Sequence, residues 1–90
     1  MSTLKINVTD KVQGVFFRRS AKDIADELGM TGWIRNNADG SVEAMINGSR
    51  ESTSKFIEWC KNGPDGAIVD KVLVQESIDE TSFDSFKITH

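Results

Sequence analysis

The chain has 90 residues and a formal net charge of −3, with 38% hydrophobic and 28% charged residues. This length allows one domain, and we predict a single domain over residues 1–90. No apolar run approaches the ~18 residues of a membrane span, and residues 1–10 lack the features of a secretory signal, so we expect a cytoplasmic protein.

The composition excludes several kinds of chemistry. An isoelectric point near 5.0 argues against a general nucleic-acid binder, which needs a basic face. Cys60 is the one cysteine, so the chain forms no internal disulfide and holds no cysteine metal cluster. His90, the one histidine, is the last residue, which argues against a Ser–His pair or a histidine-ligated metal. We therefore expect no metal and no cofactor, and chemistry by arginine, lysine, amides and backbone groups, with carboxylates as the remaining option.

The chain begins with a predicted strand, loop and helix. Hydrophobic and polar residues alternate over residues 4–8, as in a strand buried on one face. Gly14 then interrupts the pattern, and Gly29 suits the left-handed position that follows a helix. Between them the apolar spacing becomes that of one helical face, which consists of Phe17, Ala21, Ile24, Ala25 and Leu28.

The middle of the chain predicts a hairpin. Residues 33–36 form its first strand, and an Asp-Gly pair at positions 39 and 40 supplies the turn. Alternating apolar residues over 42–46 form the returning strand. Ser49 then follows as the predicted N-cap of a second helix.

The second helix and two further strands complete the chain. The apolar stripe of the helix consists of Thr53, Phe56, Ile57 and Cys60. Residues 63–66, which contain two glycines and a proline, end the helix. Residues 68–74 predict a strand, and Phe83, Phe86 and Ile88 indicate a short final one.

The order βαββαβ plus an edge strand predicts an α+β, ferredoxin-like sandwich with one antiparallel sheet and two helices on one face. In this fold the first and second strands are parallel, and the third strand separates them. Their carboxyl ends therefore meet at one edge, together with the 10–17 loop and the start of the first helix. If Ile34 faces the helices, strand parity directs Asn36 towards the helix N-terminus.

That edge has the ingredients of a phosphate-handling site. A helix N-terminus presents unpaired N–H groups and a partial positive charge, and a glycine-containing loop adds further N–H donors. Cations are disfavoured at this end of a helix, so an arginine there indicates an anion to bind. Arg18 offers a planar fork for a phosphate, whereas we expect Arg19 to be a solvated charge. A neutral amide nearby, Asn36, could hold a water.

Two segments resemble signatures of the acylphosphatase family. Residues 12–18, Val-Gln-Gly-Val-Phe-Phe-Arg, resemble its phosphate loop. Residues 32–36, Gly-Trp-Ile-Arg-Asn, followed by Asp-Gly-Ser-Val-Glu at 39–43, resemble its second signature. Both occur in the family's order and spacing, and the resemblance extends over nearly the whole chain.

The resemblance implies metal-independent hydrolysis of acyl phosphates to a carboxylate and inorganic phosphate. By this likeness Arg18 binds the phosphoryl group and Asn36 orients the attacking water. The backbone amides that would cradle the phosphate belong to Val12, Gln13, Gly14, Val15, Phe16 and Phe17. The implied partners are the acyl phosphate and inorganic phosphate, and we expect a monomer without nucleic acid or membrane.

The sequence also departs from the family pattern. Asp10 stands where the family usually has glycine, and Lys11 replaces a customary arginine or histidine. Asn37 takes the place of a hydroxyl residue, and His90 that of a terminal tyrosine. The Asp10 carboxylate would repel a phosphate bound nearby, and Lys11 would offset that repulsion, so both are candidate modulators.

Two alternatives to an enzyme follow from these observations. The first is an acylphosphatase-like module that binds anions with little or no turnover, which Asp10 motivates. The second is an RNA-binding domain of the same fold. The third predicted strand, Val-Glu-Ala-Met-Ile at 42–46, lacks the glycine and aromatic residues that such domains use to stack bases.

Overall fold

The chain folds as a five-stranded sheet with both helices on one face. A computed structural model describes residues 2–13, 16–76 and 83–89. In chain order the elements are β1 (Ser2–Lys11), α1 (Phe17–Glu27), β2 (Thr31–Asn36), β3 (Val42–Gly48), α2 (Arg50–Asn62), β4 (Ile68–Glu76) and β5 (Phe86–Ile88). Neither helix is long and apolar enough to cross a membrane, within the described ranges.

The strand order across the sheet is β4-β1-β3-β2-β5. Antiparallel pairing joins β1 to β3, β1 to β4 and β2 to β3, which confirms the predicted ferredoxin-like sandwich. The added edge strand, β5, pairs with β2 in parallel, so the complete five-stranded sheet is mixed. A strand that reverses direction after β4 has the direction of β1 and β2, so beside β2 it can only be parallel.

The core lies between the sheet and the helices. In register, Ile6 and Ile34 both lie opposite Ala44, and all three are buried on the face that the helices cover. The helices contribute the buried residues Phe17, Ala21, Ala25, Phe56 and Cys60. The helical periods that predicted these faces are therefore confirmed.

Glycine is required where β2 meets β3. Gly32 has a φ of 142°, and a Cβ at this position would collide with the backbone carbonyl of Met45. Its amide also donates to the carbonyl oxygen of Ser85 at 3.1 Å, just before β5 begins. The glycine of the second signature thus lets three chain segments approach closely.

Cys60 is expected to be chemically inert in the folded protein. Its side chain is 1% exposed, and burial raises the pKa of its thiol to about 12. Because the thiolate is the reactive form, an aromatic disulfide reagent at about pH 8 should label Cys60 only after denaturant is added. Rapid labelling of the native protein would contradict this burial.

Candidate active site

An irregularity near the end of β1 precedes the loop that follows this strand. The register of β1 against β4 shifts between Thr9 and Asp10, and Asp10 has a φ of 99°. The amide of Val12 donates to the carbonyl oxygen of Asp10 at 3.0 Å, and the Val12 side chain is buried in the core. The predicted cradle residues Gly14 and Val15 lie outside the described residues.

The helix that receives this loop has an open N-terminus. Its N-cap residue is Phe16, with φ 61° and ψ 25°, and no side-chain hydrogen bond caps the helix there. The amide of Ser20 donates to the Phe16 carbonyl oxygen at 2.9 Å, and the first turn holds no acidic residue. Its arginines, Arg18 and Arg19, add positive charge to the positive end of the helix dipole, so this end suits an anion.

Asn36 lies at the same edge of the sheet. It pairs with Val42 in register. Ile34, two residues earlier, is buried on the face that the helices cover, so Asn36 points to the same face, as predicted. No hydrogen bond of its side-chain amide occurs within the described residues. The open cavity that it borders measures about 800 Å³, and the described residues that line it are Val12, Phe16, Phe17, Arg18, Arg19, Asn36 and Ile88. The structure therefore brings the predicted arginine, amide and helix N-terminus to one cavity.

The end of the chain contributes to this cavity, which the sequence reasoning missed. The Nη1 of Arg18 donates to the carbonyl oxygen of Thr89 at 3.4 Å. The Thr89 amide in turn donates to the carbonyl oxygen of Ile34 at 2.8 Å, which fixes this segment beside β2. Because β5 is parallel to β2, its carboxyl end reaches the edge where Asn36 lies, and Ile88 joins the lining. No sequence pattern assigns β5 to β2, so this contribution had no signal.

A hydrogen-bond network joins Gln13, which follows β1, to the β2–β3 hairpin. The Gln13 Nε2 donates to the carbonyl oxygens of Asn37 at 2.8 Å and Ser41 at 2.9 Å. The Ser41 hydroxyl accepts from the side chains of Asn7 and Asn37 and donates to Asp39 at 2.6 Å. Hydrogen bonds from Ser41 also hold the pKa of the Asp39 carboxyl below its usual value. This bracing fixes the residue after Asn36 against the loop.

The candidate modulators Asp10 and Lys11 lie beside the site rather than in it. Both are exposed, and neither lines the cavity of Arg18 and Asn36. Arg19 does border the cavity, but its side chain is 74% exposed and forms an ion pair with Asp23 at 3.8 Å. Asn37 directs its amide to Ser41 instead of the cavity.

The chain resembles known proteins over most of its length. A family model described as Acylphosphatase matches residues 4–88, which include both signature segments. The chain belongs to the acylphosphatase family. Enzymes of this family hydrolyse the carboxyl–phosphate bond of acyl phosphates, and the chain is an enzyme of this class.

Individual relatives resemble this acylphosphatase family member over most of its length. The acylphosphatase of Pyrobaculum islandicum is 48% identical over 82 residues, which cover 90% of this chain and 86% of the relative. That of Marinobacter nauticus is 45% identical over 83 residues, covering 92% and 90%. The crystal structure of acylphosphatase from Bacillus subtilis superimposes with a TM-score of 0.96 at 33% identity and covers 100% of both chains.

Asp10→Gly is expected to stabilise the protein. A φ of 99° is strained for a side-chain-bearing residue, at a cost of about 1–3 kcal/mol, whereas glycine adopts it freely. After the larger backbone entropy of glycine in the unfolded chain is subtracted, a gain of about 1 kcal/mol remains, or about 4–8 °C in Tm. Asp10→Asn, which keeps a side chain, should gain less. A Tm that is equal for both variants would contradict the strain.

The same two variants separate charge from backbone shape in phosphate binding. If the Asp10 charge repels phosphate, both Asp10→Gly and Asp10→Asn should tighten phosphate inhibition several-fold at low salt, since ~1 kcal/mol is about a factor of five. The gain should shrink as salt rises, because exposed charges are screened over ~8–10 Å. Improvement in the glycine variant alone would assign the effect to the backbone. No change in either variant would show that Asp10 does not modulate the site.

Proposed function

We propose that the cavity hydrolyses acyl phosphates without a metal, that Arg18 and the amides of the loop and first helical turn hold the phosphoryl group, and that Asn36 orients the attacking water. The observation that carries the proposal is the meeting of Arg18, Asn36 and the open α1 N-terminus at one cavity. The cavity thus combines a cation and backbone donors, which can bind the phosphoryl group, with a neutral amide, which can bind the water.

The phosphoryl group is the part of the substrate that such a site binds. Its transfer depends mainly on positioning and on stabilising charge over the phosphoryl oxygens. The Arg18 guanidinium can bind two of these oxygens at once, and N–H donors of the helix N-terminus can bind others. The hydrogen bond to the Thr89 carbonyl oxygen restrains the guanidinium, which reduces the entropy lost when phosphate binds.

The water and the leaving group complete the reaction. The side-chain oxygen of Asn36 can accept a hydrogen bond from a water, and its NH₂ group can donate one to the substrate. The water oxygen then attacks phosphorus, the bond from phosphorus to the carboxylate oxygen breaks, and a proton passes to solvent. A carboxylate is a good leaving group and needs no general acid, so the cavity can work without a histidine.

The alternative of an anion-binding module with little turnover depended on the Asp10 carboxylate lying near the phosphate. Asp10 does not line the cavity, so the structure gives that alternative no support. The proposal further includes a monomer that acts in the cytoplasm on a small molecule and not on nucleic acid. The isoelectric point of about 5.0 supports the last point, because a nucleic-acid surface is basic.

Turnover of benzoyl phosphate by the purified protein, with and without EDTA, tests the proposal. We expect hydrolysis at the same rate in both samples, because an arginine and N–H donors supply the positive charge. No group of three or more His, Cys, Asp or Glu side chains that could hold a metal ion occurs within the described residues. Lasting loss of activity in EDTA, restored by a divalent ion, would contradict this mechanism.

A further inference from the structure

Phe16 is the most exposed large hydrophobic residue in the described part of the chain. Its side chain is 81% exposed, and it borders the cavity that holds Arg18 and Asn36. The neighbouring Phe17 is buried and packs against Trp59, with ring centroids 5.1 Å apart. No ring contact within the described ranges includes Phe16. One of two adjacent phenylalanines therefore builds the core, and the other faces solvent at the site.

Backbone conformation makes this phenylalanine unexpected. At φ 61° and ψ 25° Phe16 is in the left-handed region, where glycine and asparagine are strongly favoured over aromatic residues. Folding gains little from the ring, since most of its surface stays in water. A strained, exposed aromatic residue at the rim of a cavity indicates a role in contact with something outside the chain.

The size and lining of the cavity indicate what that contact is. A water molecule takes about 30 Å³ of the liquid, and a phosphate group takes only a few times that volume. The cavity measures about 800 Å³, so most of it remains after a phosphoryl group is placed at Arg18. Beside Phe16 the lining includes the apolar side chains of Val12, Phe17 and Ile88. A ligand with a charged end and an apolar body matches this arrangement.

We propose that Phe16 is a specificity-determining residue, whose ring packs against the acyl group and favours acyl phosphates with an aromatic or bulky apolar acyl group over acetyl or carbamoyl phosphate. This inference rests on the proposed function, because it places the phosphoryl group at Arg18 and the acyl group beyond it. Acetyl and carbamoyl groups are too small to cover the ring. An aromatic acyl group covers it and gains a ring–ring contact in addition to the buried area.

The test compares two stable ligands that differ only in the apolar group, benzylphosphonate and methylphosphonate, by isothermal titration calorimetry. The wild-type protein should bind benzylphosphonate about tenfold more tightly, which corresponds to about 1.4 kcal/mol. In Phe16→Asn and Phe16→Gly, which both tolerate the left-handed backbone, this ratio should fall to about one. The ratio cancels any displacement of the backbone amides that both ligands contact. Leu73→Asn, which removes a 52% exposed hydrophobic side chain from β4, is the matched control and should keep the wild-type ratio.

The outcomes separate this inference from the proposed reaction. Equal affinity for the two phosphonates in the wild type, or a ratio that survives both Phe16 variants, overturns the role of Phe16 even if acyl phosphates are hydrolysed. If the affinity ratio of the two phosphonates behaves as expected in a protein without turnover, the role of Phe16 is supported and the proposed reaction is contradicted. With turnover, kcat/KM for benzoyl phosphate relative to acetyl phosphate should fall in Phe16→Asn by the same factor as the binding ratio.

Discussion

Replacing Arg18 by glutamine is expected to abolish most of the activity and to weaken inhibition by inorganic phosphate. In the proposed mechanism one guanidinium contacts the phosphoryl oxygens in both the ground state and the transition state, so both measurements should change. Removal of a single neutral donor to a developing charge costs about 10²–10³-fold in rate, and loss of a charged, two-pronged donor should cost at least that much. Steady-state kinetics with benzoyl phosphate and competitive inhibition by phosphate measure the two effects.

Arg19→Gln is the matched control for this experiment. Arg19 is the next residue of the same helical turn and borders the same cavity, but it is exposed and paired with Asp23. Exposed ion pairs and charges contribute at most about 1 kcal/mol, which is about a factor of five. Equal losses from the two substitutions would show that net charge, and not the geometry of Arg18, determines binding.

Asn36→Ala is expected to separate turnover from binding. The proposed partner of Asn36 is the water, so phosphate inhibition should remain close to that of the wild type. The value of kcat should fall about 10²-fold or more, because the nucleophile loses its orientation. Kinetics and phosphate inhibition, measured on the same preparation, test both statements.

The adjacent amide provides the control for Asn36. The Asn37 side chain donates to the Ser41 hydroxyl at 3.1 Å and does not line the cavity. Asn37→Ala should therefore lower stability by about 1 kcal/mol, the usual value of one hydrogen bond, while kcat stays near the wild-type value. An unchanged kcat in Asn36→Ala would mean that Asn36 only begins the hairpin turn.

Periodicity predicted those parts of the fold in which one face of an element is buried. The helical spacing from Phe17 to Leu28 and the strand alternation at Ile34 both show which face of the element is buried. Asn36 lies two residues after Ile34, so it was correctly expected on the same face. The structure confirms that placement through the Asn36–Val42 pair. The role of Asn36 in catalysis remains a prediction, as does that of Arg18.

Parity failed where the strand is irregular or too short. In a regular strand Asp10 would face the helices as Val8 does, because alternate residues share a face. The register shift between Thr9 and Asp10 interrupts that alternation. β5 has three residues, too few for an alternation of apolar and polar residues to show which strand it pairs with. The sequence therefore contained no indication of the contact between Thr89 and Arg18. The left-handed backbone of Phe16 was equally hidden, since its residue type disfavours that conformation.

Hydrolysis in heavy-oxygen-labelled water tests most directly whether a water attacks a phosphoryl group held at Arg18. The oxygen that enters during turnover reports which atom was attacked, and mass spectrometry of the two products locates it. The arrangement of Arg18, the helix N-terminus and Asn36 predicts that the label appears in inorganic phosphate and not in the carboxylate. Label in the carboxylate would mean that water attacks the carbonyl carbon, and it would contradict the roles proposed for both residues.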